Sequence, residues 1–146
     1  MASASVSHWI DAPPDVVFDI FTDARRYPDY TPIRRVAMER EGEGEANGVG
    51  AIRALYLAGP PVRELVTDHV RPGRFAFEVL SGGGIRSYEG TLTFEAAAGG
   101  TDVTYAIELE PLVPGTGFAT AAAFRGAVEI LMRLADREAR RRMAGA

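Results

Sequence analysis

The feature that most constrains this chain is a change in hydrophobic periodicity between residues 33 and 110. Apolar and polar residues alternate through this middle segment, and turns rich in glycine and proline interrupt the alternation at short intervals. Such spacing is typical of antiparallel strands joined by hairpins. The segment therefore predicts six strands, at residues 34–43, 49–58, 62–70, 74–80, 85–95 and 101–109.

The flanking segments follow other patterns. Residues 6–10 predict a short opening strand, and Asp11 with two prolines then begins a helix of about ten residues, a usual place for such residues. Residues 23–32, with two prolines, leave room for only one helical turn. Residues 116–143 lack proline and predict a long final helix with one apolar stripe. The order is that of an α+β fold.

Composition limits the chemistry. The 146 residues, 47% of them hydrophobic, suffice for one domain spanning 1–146. The absence of cysteine excludes disulfides and thiolate nucleophiles, and the absence of lysine excludes Schiff-base chemistry. Only His8 and His69 are histidines, so no multi-histidine metal site is expected. We also expect no cofactor.

Charge and hydropathy also limit the partners. A net charge of −4 disfavours nucleic acid as a partner. The polar start and the lack of a long apolar run predict a cytoplasmic protein without stable membrane insertion. Glutamates at alternate positions from 39 to 45 disfavour pairing through that strand edge, so we expect a monomer or a weak homodimer.

Six short phrases occur in a distinctive order. The first two are Ile10-Asp11-Ala12-Pro13-Pro14-Asp15-Val16-Val17-Phe18, like the pattern I-x-A-P-x-x-V-W/F, and residues 23–30, like D-x-x-x-Y-P-x-W. The others are Gly48-Val49-Gly50, Arg63-Glu64-Leu65-Val66, Tyr88-x-Gly90-x-Leu92 and Gly99-Gly100-Thr101-x-Val103. In these phrases the chain resembles the START/SRPBCC superfamily, and within it the polyketide cyclase/dehydrase and lipid-transport family.

This resemblance implies a helix-grip fold, in which a curved seven-stranded antiparallel sheet wraps around the long C-terminal helix and two short helices follow the first strand. It also implies a hydrophobic cavity between sheet and helix. Family members bind lipids, sterols, quinones, plant hormones or polyketides there, and a minority catalyse cyclisation or dehydration. Tyr30 stands where many members have tryptophan, which places a phenol at the cavity mouth.

Three functions therefore stay open. The chain binds a hydrophobic, partly oxygenated small molecule, or it is a cyclase or dehydratase that uses the same cavity, or it is a protein-interaction module. A pocket of several hundred Å³, the usual size of a small-molecule site, is expected under the first two, whereas the interaction module predicts a cavity too small for any ligand.

Candidate site residues follow from strand parity. Tyr88 and Tyr105 share apolar faces, and Tyr56 is predicted to point inward because Arg53 is expected to occupy the opposite face. Glu64 shares parity with three valines and His8 with Val6 and Ile10. Glu64, Tyr88 and His8 are thus candidates for moving protons. The alternatives are tyrosines that fill the core, a glutamate paired with an arginine and a histidine satisfied within the core.

The final helix adds the remaining candidates. Arg125 is a potential anchor for a ligand carboxylate, and the alternative is an i,i+4 surface pair with Glu129. His69 is expected at the rim of the fold. The complete set of predicted ligand-binding residues is Tyr30, Tyr56, Glu64, Phe77, Tyr88, Tyr105, Phe118, Ala121, Phe124, Arg125 and Val128.

Overall fold

The computed structural model describes residues 1–145, and its strands and helices follow one another in the order that the sequence predicts. Strand β1 (Ala2–Ile10) leads into helix α1 (Pro14–Thr22) and a 3-10 helix (Ala24–Asp29). Six strands follow and a long helix ends the chain. Their bounds are β2 (Arg35–Arg40), β3 (Ile52–Tyr56), β4 (Val62–Val70), β5 (Arg74–Ser81), β6 (Ile85–Ala97), β7 (Gly100–Pro111) and α2 (Gly117–Ala144).

The seven strands form one antiparallel sheet in the order β1-β7-β6-β5-β4-β3-β2. The first strand thus returns to pair with the last, and β1 and β2 are the two edges. Strand β1 begins four residues earlier than predicted, because Ala2–Ser5 continue the ladder opposite residues 106–109 of β7. The α+β, helix-grip architecture expected from the sequence is confirmed.

Strands β2 and β3 are shorter than predicted. Their connection replaces a continued ladder with a compact loop in which Gly42 and Gly48 approach closely. A Cβ on Gly42 would lie 2.2 Å from the Gly48 carbonyl oxygen, so only glycine allows this approach. The loop also brings the buried Asn47 beneath the end of α1.

Helix α2 lies along β1 and β7 and touches α1, so it covers one side of the sheet's inner face. Its inward stripe is made of small and medium apolar residues, including Ala121, Val128, Met132 and Ala135, which pack into the main core. Helix α1 adds Phe18, whose ring meets Phe94 edge-on with centroids 5.3 Å apart. No helix within residues 1–145 is both long and apolar enough to cross a membrane.

Candidate functional site

A cavity of about 100 Å³ lies between the inner face of the sheet and the C-terminal half of α2. Its apolar walls include Ile20, Phe21, Leu55, Phe75, Leu92 and Leu131. Strands β3 to β7, α1 and the segment after the 3-10 helix all contribute. The half-buried members form its outer end, and they are Tyr30, Thr31, Ile33 and Leu131.

A buried ion pair forms part of this apolar wall. Arg53 on β3 is 1% exposed and Glu64 on β4 is 8% exposed, and the two residues are register partners on neighbouring strands. Arg53 Nη2 donates to Glu64 Oε1 at 2.6 Å. Burial lowers the pKa of the Arg53 guanidinium, but the adjacent Tyr27 and Glu64 more than offset this, so the net pKa is raised. The pair is therefore a fixed, charged feature of the cavity wall.

Three side chains satisfy the last carbonyl groups of α1. Tyr30 donates its hydroxyl to the Ile20 carbonyl, and Tyr27 donates to the Phe21 carbonyl. Arg53 Nη1 donates to the Thr22 carbonyl at 2.9 Å, which places a cation at the negative end of the helix dipole. These carbonyls have no partner inside the helix, so the contacts fix the end of α1 as a cavity wall.

A pair of phenols lies on strands β6 and β7. The hydroxyl oxygens of Tyr88 and Tyr105 are 3.2 Å apart, and either can donate to the other. Phe77 stacks on Tyr88 with centroids 6.0 Å apart. Burial raises the pKa of Tyr88 to about 12 and that of Tyr105 well above its ordinary value. Both phenols are therefore neutral hydrogen-bonding groups near pH 7.

Two polar groups of the ion pair retain hydrogen-bonding capacity. Within residues 1–145 no hydrogen bond reaches the second carboxylate oxygen of Glu64, Oε2. Arg53 Nε is also without a partner there, but it is buried, and its guanidinium lies between the rings of Tyr27 and Phe75 at 5.5 and 5.2 Å. In the same part of the chain, no group of three or more acidic or histidine side chains is placed to hold a metal ion.

Four of the predicted ligand-binding residues line the cavity, namely Tyr30, Glu64, Phe77 and Tyr105. Tyr88 is buried and reaches the cavity only through its contacts with Phe77 and Tyr105. The alternative for Glu64, a pair with an arginine, is what the structure has. The Tyr30 hydroxyl is bonded to backbone, so this phenol has its donor satisfied at the mouth.

The inward direction predicted for Tyr56 is wrong. Tyr56 lies on the other side of β3, where the Arg35 guanidinium stacks on its ring at 4.0 Å from the centroid. The prediction assumed that Arg53 must face solvent. Instead Arg53 points inward, because Glu64, Thr22 and Asn47 accept hydrogen bonds from its two terminal nitrogens.

The predictions for the start of α2 also need correction. Phe118 is 90% exposed at the first turn of the helix and does not line the cavity. Arg125 is 58% exposed and pairs with Glu129 at 3.4 Å, the i,i+4 surface alternative. Ala121, Phe124 and Val128 pack into the core instead, with Phe124 5.0 Å from the ring centroid of Tyr88. The N-terminal half of α2 therefore closes its end of the cavity.

Neither histidine lines the cavity. His8 faces α2 as its parity predicts, but its Nε2 is 3.5 Å from Asp136 Oδ2 at the β1–α2 contact, so proton transfer to a ligand in the cavity is not supported. The expectation that His69 lies at the rim is wrong. Its side chain is buried, with its ring edge-on to Phe18 at 5.2 Å and its Nε2 3.2 Å from Glu45 Oε1 without hydrogen-bond geometry.

Arg53 is the charged residue of the cavity wall that the sequence did not predict. A signal for it exists, because Arg53 shares parity with the buried Ala51 and Leu55. It also stands opposite Glu64 across the hairpin that joins β3 and β4. Opposite charges on cross-strand partners are a recognised stabilising pair.

The cavity is smaller than expected. A typical small-molecule site has about 300–1,000 Å³, whereas this cavity has about 100 Å³. The difference arises from the aromatic rings of Phe75, Phe77 and Tyr105, which fill space between the strands and α2.

A sequence profile of the family described as polyketide cyclase / dehydrase and lipid transport matches residues 1–141. The chain belongs to this family. No curated protein matches the sequence. Membership agrees with the cavity position between sheet and final helix, and family and fold together are consistent with hydrophobic ligand binding.

Solved structures share the fold at low sequence identity. A START superfamily protein from Mycobacterium smegmatis is 12% identical with a TM-score of 0.82, covering 97% of this chain and 99% of that chain. Ara h 8.0201 is 11% identical with a TM-score of 0.78, at 94% and 96% coverage. XoxI from Bacillus cereus is 16% identical with a TM-score of 0.76, at 95% and 96% coverage. At these identities the likeness shows the fold alone.

Proposed function

We propose that this chain binds a hydrophobic, partly oxygenated small molecule in the cavity between the sheet and α2. The observation behind the proposal is a buried Arg53–Glu64 pair on the wall of an otherwise apolar cavity. Burying two charges is expensive, and replacing such a pair with apolar residues is often neutral or stabilising. Its presence on a cavity wall is explained if the pair also contacts a polar group of a ligand.

The apolar walls supply the affinity and the few polar groups supply the orientation. Burial of a ligand's apolar surface contributes a favourable free energy of about 25 cal/mol per Å² removed from water. Glu64 Oε2 and the hydroxyl of Tyr105, which Tyr88 holds by a hydrogen bond, are the groups that fix a ligand's oxygen atoms. This division is usual for small-molecule sites.

The geometry favours retention of a ligand over proton transfer. With raised pKa values, the phenols of Tyr88 and Tyr105 stay protonated near neutral pH and are poor bases. Glu64 is held by Arg53. Binding is therefore the better supported of the two functions that the family description covers.

Native mass spectrometry of the freshly purified protein, followed by extraction, tests the proposal. We expect a bound apolar, oxygen-containing compound. The variant Ala135→Leu should lose it, because Ala135 is buried on α2 and lines the cavity. The matched control is Ala127→Leu, at an exposed position of the same helix. If the native protein converts a compound chemically, and the Glu64→Gln and Tyr88→Phe variants do not, the enzyme is favoured instead.

A further inference from the structure

The size of the cavity limits the ligand to a single ring. An apolar cavity of about 150 Å³ accommodates benzene, and one water occupies about 30 Å³ of liquid. The cavity here has about 100 Å³, so a ring needs only a small displacement of a lining residue. Leu131, half-buried on α2 at the outer end, is the residue best placed to move. An acyl chain or a sterol would need several times this volume.

The other walls resist expansion. Tyr27 and Tyr30 are fixed to the backbone of α1 by their hydroxyls. Phe77 and Tyr105 lie directly against Gly90 of β6, where an added Cβ would be 2.7 Å from the Phe77 ring and 3.2 Å from the Tyr105 hydroxyl. Side chains in such close-packed surroundings do not move aside without strain. The cavity therefore selects a compact ligand rather than adapting to a large one.

The charges on the wall favour a neutral ligand. Arg53 and Glu64 carry opposite charges and neutralise each other within the cavity wall. An anionic ligand would add a second negative charge beside Glu64, and a cationic ligand would add a second positive charge beside Arg53. Either leaves an uncompensated charge in an apolar site, which is strongly unfavourable.

The free carboxylate oxygen determines which polar group the ligand needs. An ionised carboxylate only accepts hydrogen bonds, and a bond to a charged acceptor is about twice as strong as a neutral one. Arg53 takes Oε1, and within residues 1–145 nothing donates to Oε2. In a partly oxygenated ligand, the complementary group is a hydroxyl, which donates a hydrogen bond to Oε2.

From these four observations we propose that the cavity selects a neutral, single-ring compound with a hydroxyl group, and that this hydroxyl donates to Glu64 Oε2. The inference rests on the proposed function, because it requires a ligand in this cavity. It adds the chemical class of the ligand and the residue that recognises it.

Three probes of similar size test the class on the unmodified protein. Phenol carries the hydroxyl, toluene replaces it with a methyl group, and benzoate replaces it with an anionic carboxylate. Isothermal titration calorimetry at pH 7 should show phenol binding at least about tenfold more tightly than toluene, the difference expected for one hydrogen bond to a charged group. Benzoate should bind more weakly than phenol.

Two variants assign the preference to Glu64. Glu64→Gln removes the charge that favours the donor, so the preference for phenol over toluene should fall toward unity. Glu138→Gln is the matched control, since it makes the same change at a buried carboxylate that does not line the cavity. It should keep the preference. Because the preference is a ratio within one protein, a moderate loss of stability in either variant does not obscure it.

The outcomes separate this inference from the proposed function. Equal affinities for phenol and toluene would overturn the role of Glu64 while supporting an apolar binding cavity. Tightest binding of benzoate would overturn the neutral class and assign recognition to Arg53. Failure of both phenol and toluene to bind at millimolar concentrations would overturn the proposed function itself for compounds of this size, and the inference with it.

Discussion

Two buried carboxylates in this molecule have different surroundings. Glu64 on β4 is 8% exposed and Glu138 on α2 is 3% exposed. Both oxygens of Glu138 accept hydrogen bonds from arginines, since Arg141 binds through Nε and Nη2 and Arg142 through Nε, each at 2.8 Å. Glu64 has one arginine partner, on Oε1 alone.

This difference distinguishes Glu138, whose contacts stabilise the fold, from Glu64, which we propose as the group that recognises the ligand. The Glu138 cluster joins residues three and four apart on α2, with Arg26 of the 3-10 helix 4.0 Å from Glu138 Oε2, and it positions Arg142 over the Tyr30 ring at 5.9 Å. Its acceptor capacity is used, and it stabilises the end of α2 beside the cavity. Glu64 joins two strands and retains an oxygen on the cavity wall. Burial alone therefore does not distinguish the two carboxylates, whereas unused acceptor capacity next to a cavity does.

Removing the cation from the Glu64 pair should have the largest effect. Arg53→Met leaves Glu64 buried without its partner and leaves the Thr22 carbonyl without its donor. We expect the free energy of unfolding to fall by about 3–5 kcal/mol, as when one partner of a buried pair is removed. Urea-induced unfolding at neutral pH measures it.

The double variant Arg53→Met/Glu64→Leu is the control for this interpretation. It removes both charges, so it should recover part of the stability that Arg53→Met loses, although Leu adds no hydrogen bond. A double variant that recovers none of this stability would show that the loss in Arg53→Met does not come from an unpaired buried carboxylate.

The matching change in the Glu138 cluster should cost less. In Glu138→Gln the exposed Arg141 keeps access to water, and the new glutamine can still accept a hydrogen bond from Arg142, which is 15% exposed, so we expect a loss of about 1–2 kcal/mol. The hydrogen bonds from Arg141 lower the pKa of Glu138 below its ordinary value of 4.5, against the opposing effect of burial. The contribution is therefore complete above pH 4.5 and is lost as the pH falls through the lowered pKa.

Unfolding experiments at neutral pH and at several values below 4.5 check this prediction. The difference in stability between the native sequence and Glu138→Gln should shrink as the solution becomes more acidic. A difference that stays constant or grows would contradict the assignment of the effect to the ionised carboxylate.

The comparison also shows what the sequence predicts well. The strands of the middle segment could be located because alternation and turn residues are local signals. The order of strands agreed with the family resemblance, and α2 began and ended within one residue of its predicted bounds. Parity placed Tyr105 on the inner face and favoured the same face for Glu64.

Other features depend on distant partners, and parity does not reveal them. Arg53 is buried because Thr22, Asn47 and Glu64, on three other parts of the chain, accept hydrogen bonds from its two terminal nitrogens. Tyr56 was misplaced for the same reason. The cavity volume depends on how Phe75, Phe77 and Tyr105 pack across strands, which no local pattern specifies.

The hydroxyl pair of Tyr88 and Tyr105, beside the cavity, should have a smaller effect on stability. Tyr88→Phe removes one hydroxyl and leaves that of Tyr105 without its partner, so we expect a loss of about 1 kcal/mol. Burial raises the pKa of Tyr88 to about 12, so its contribution is complete below its ordinary value of 10 and is lost as the pH rises through about 12.

In the native sequence, stability should therefore decline between pH 10 and 12, and the decline should be shallower in Tyr88→Phe. Phenolate absorbance during an alkaline titration gives an independent reading, because the folded native protein should contain one more late-titrating tyrosine than the variant. If the variant instead loses a tyrosine that titrates near the ordinary pKa of 10, Tyr88 is exposed to solvent.

The smallest effect should come from an ion pair that is not buried. Arg125 and Glu129 are 3.4 Å apart on the exposed side of α2, with water around both side chains. Pairs of this kind contribute about 0.3–0.5 kcal/mol, and the order with arginine first is the less favourable one. Arg125→Gln should therefore change the free energy of unfolding by no more than about 0.5 kcal/mol, and added salt should reduce even that.

The same variant bears on the recognition group. If Glu64 and not Arg125 orients the ligand, Arg125→Gln should leave the affinities for phenol and benzoate as they are in the native sequence, measured by calorimetry. A selective loss of benzoate binding would instead place a ligand carboxylate near Arg125. The outer part of α2 would then belong to the site, although in the folded chain Arg125 lies on the side that faces Glu129 and solvent. The Arg53–Glu64 pair, the Glu138 cluster and the Arg125–Glu129 pair differ in burial and in unused hydrogen-bond acceptors. We therefore expect a different response when a charge is removed from each.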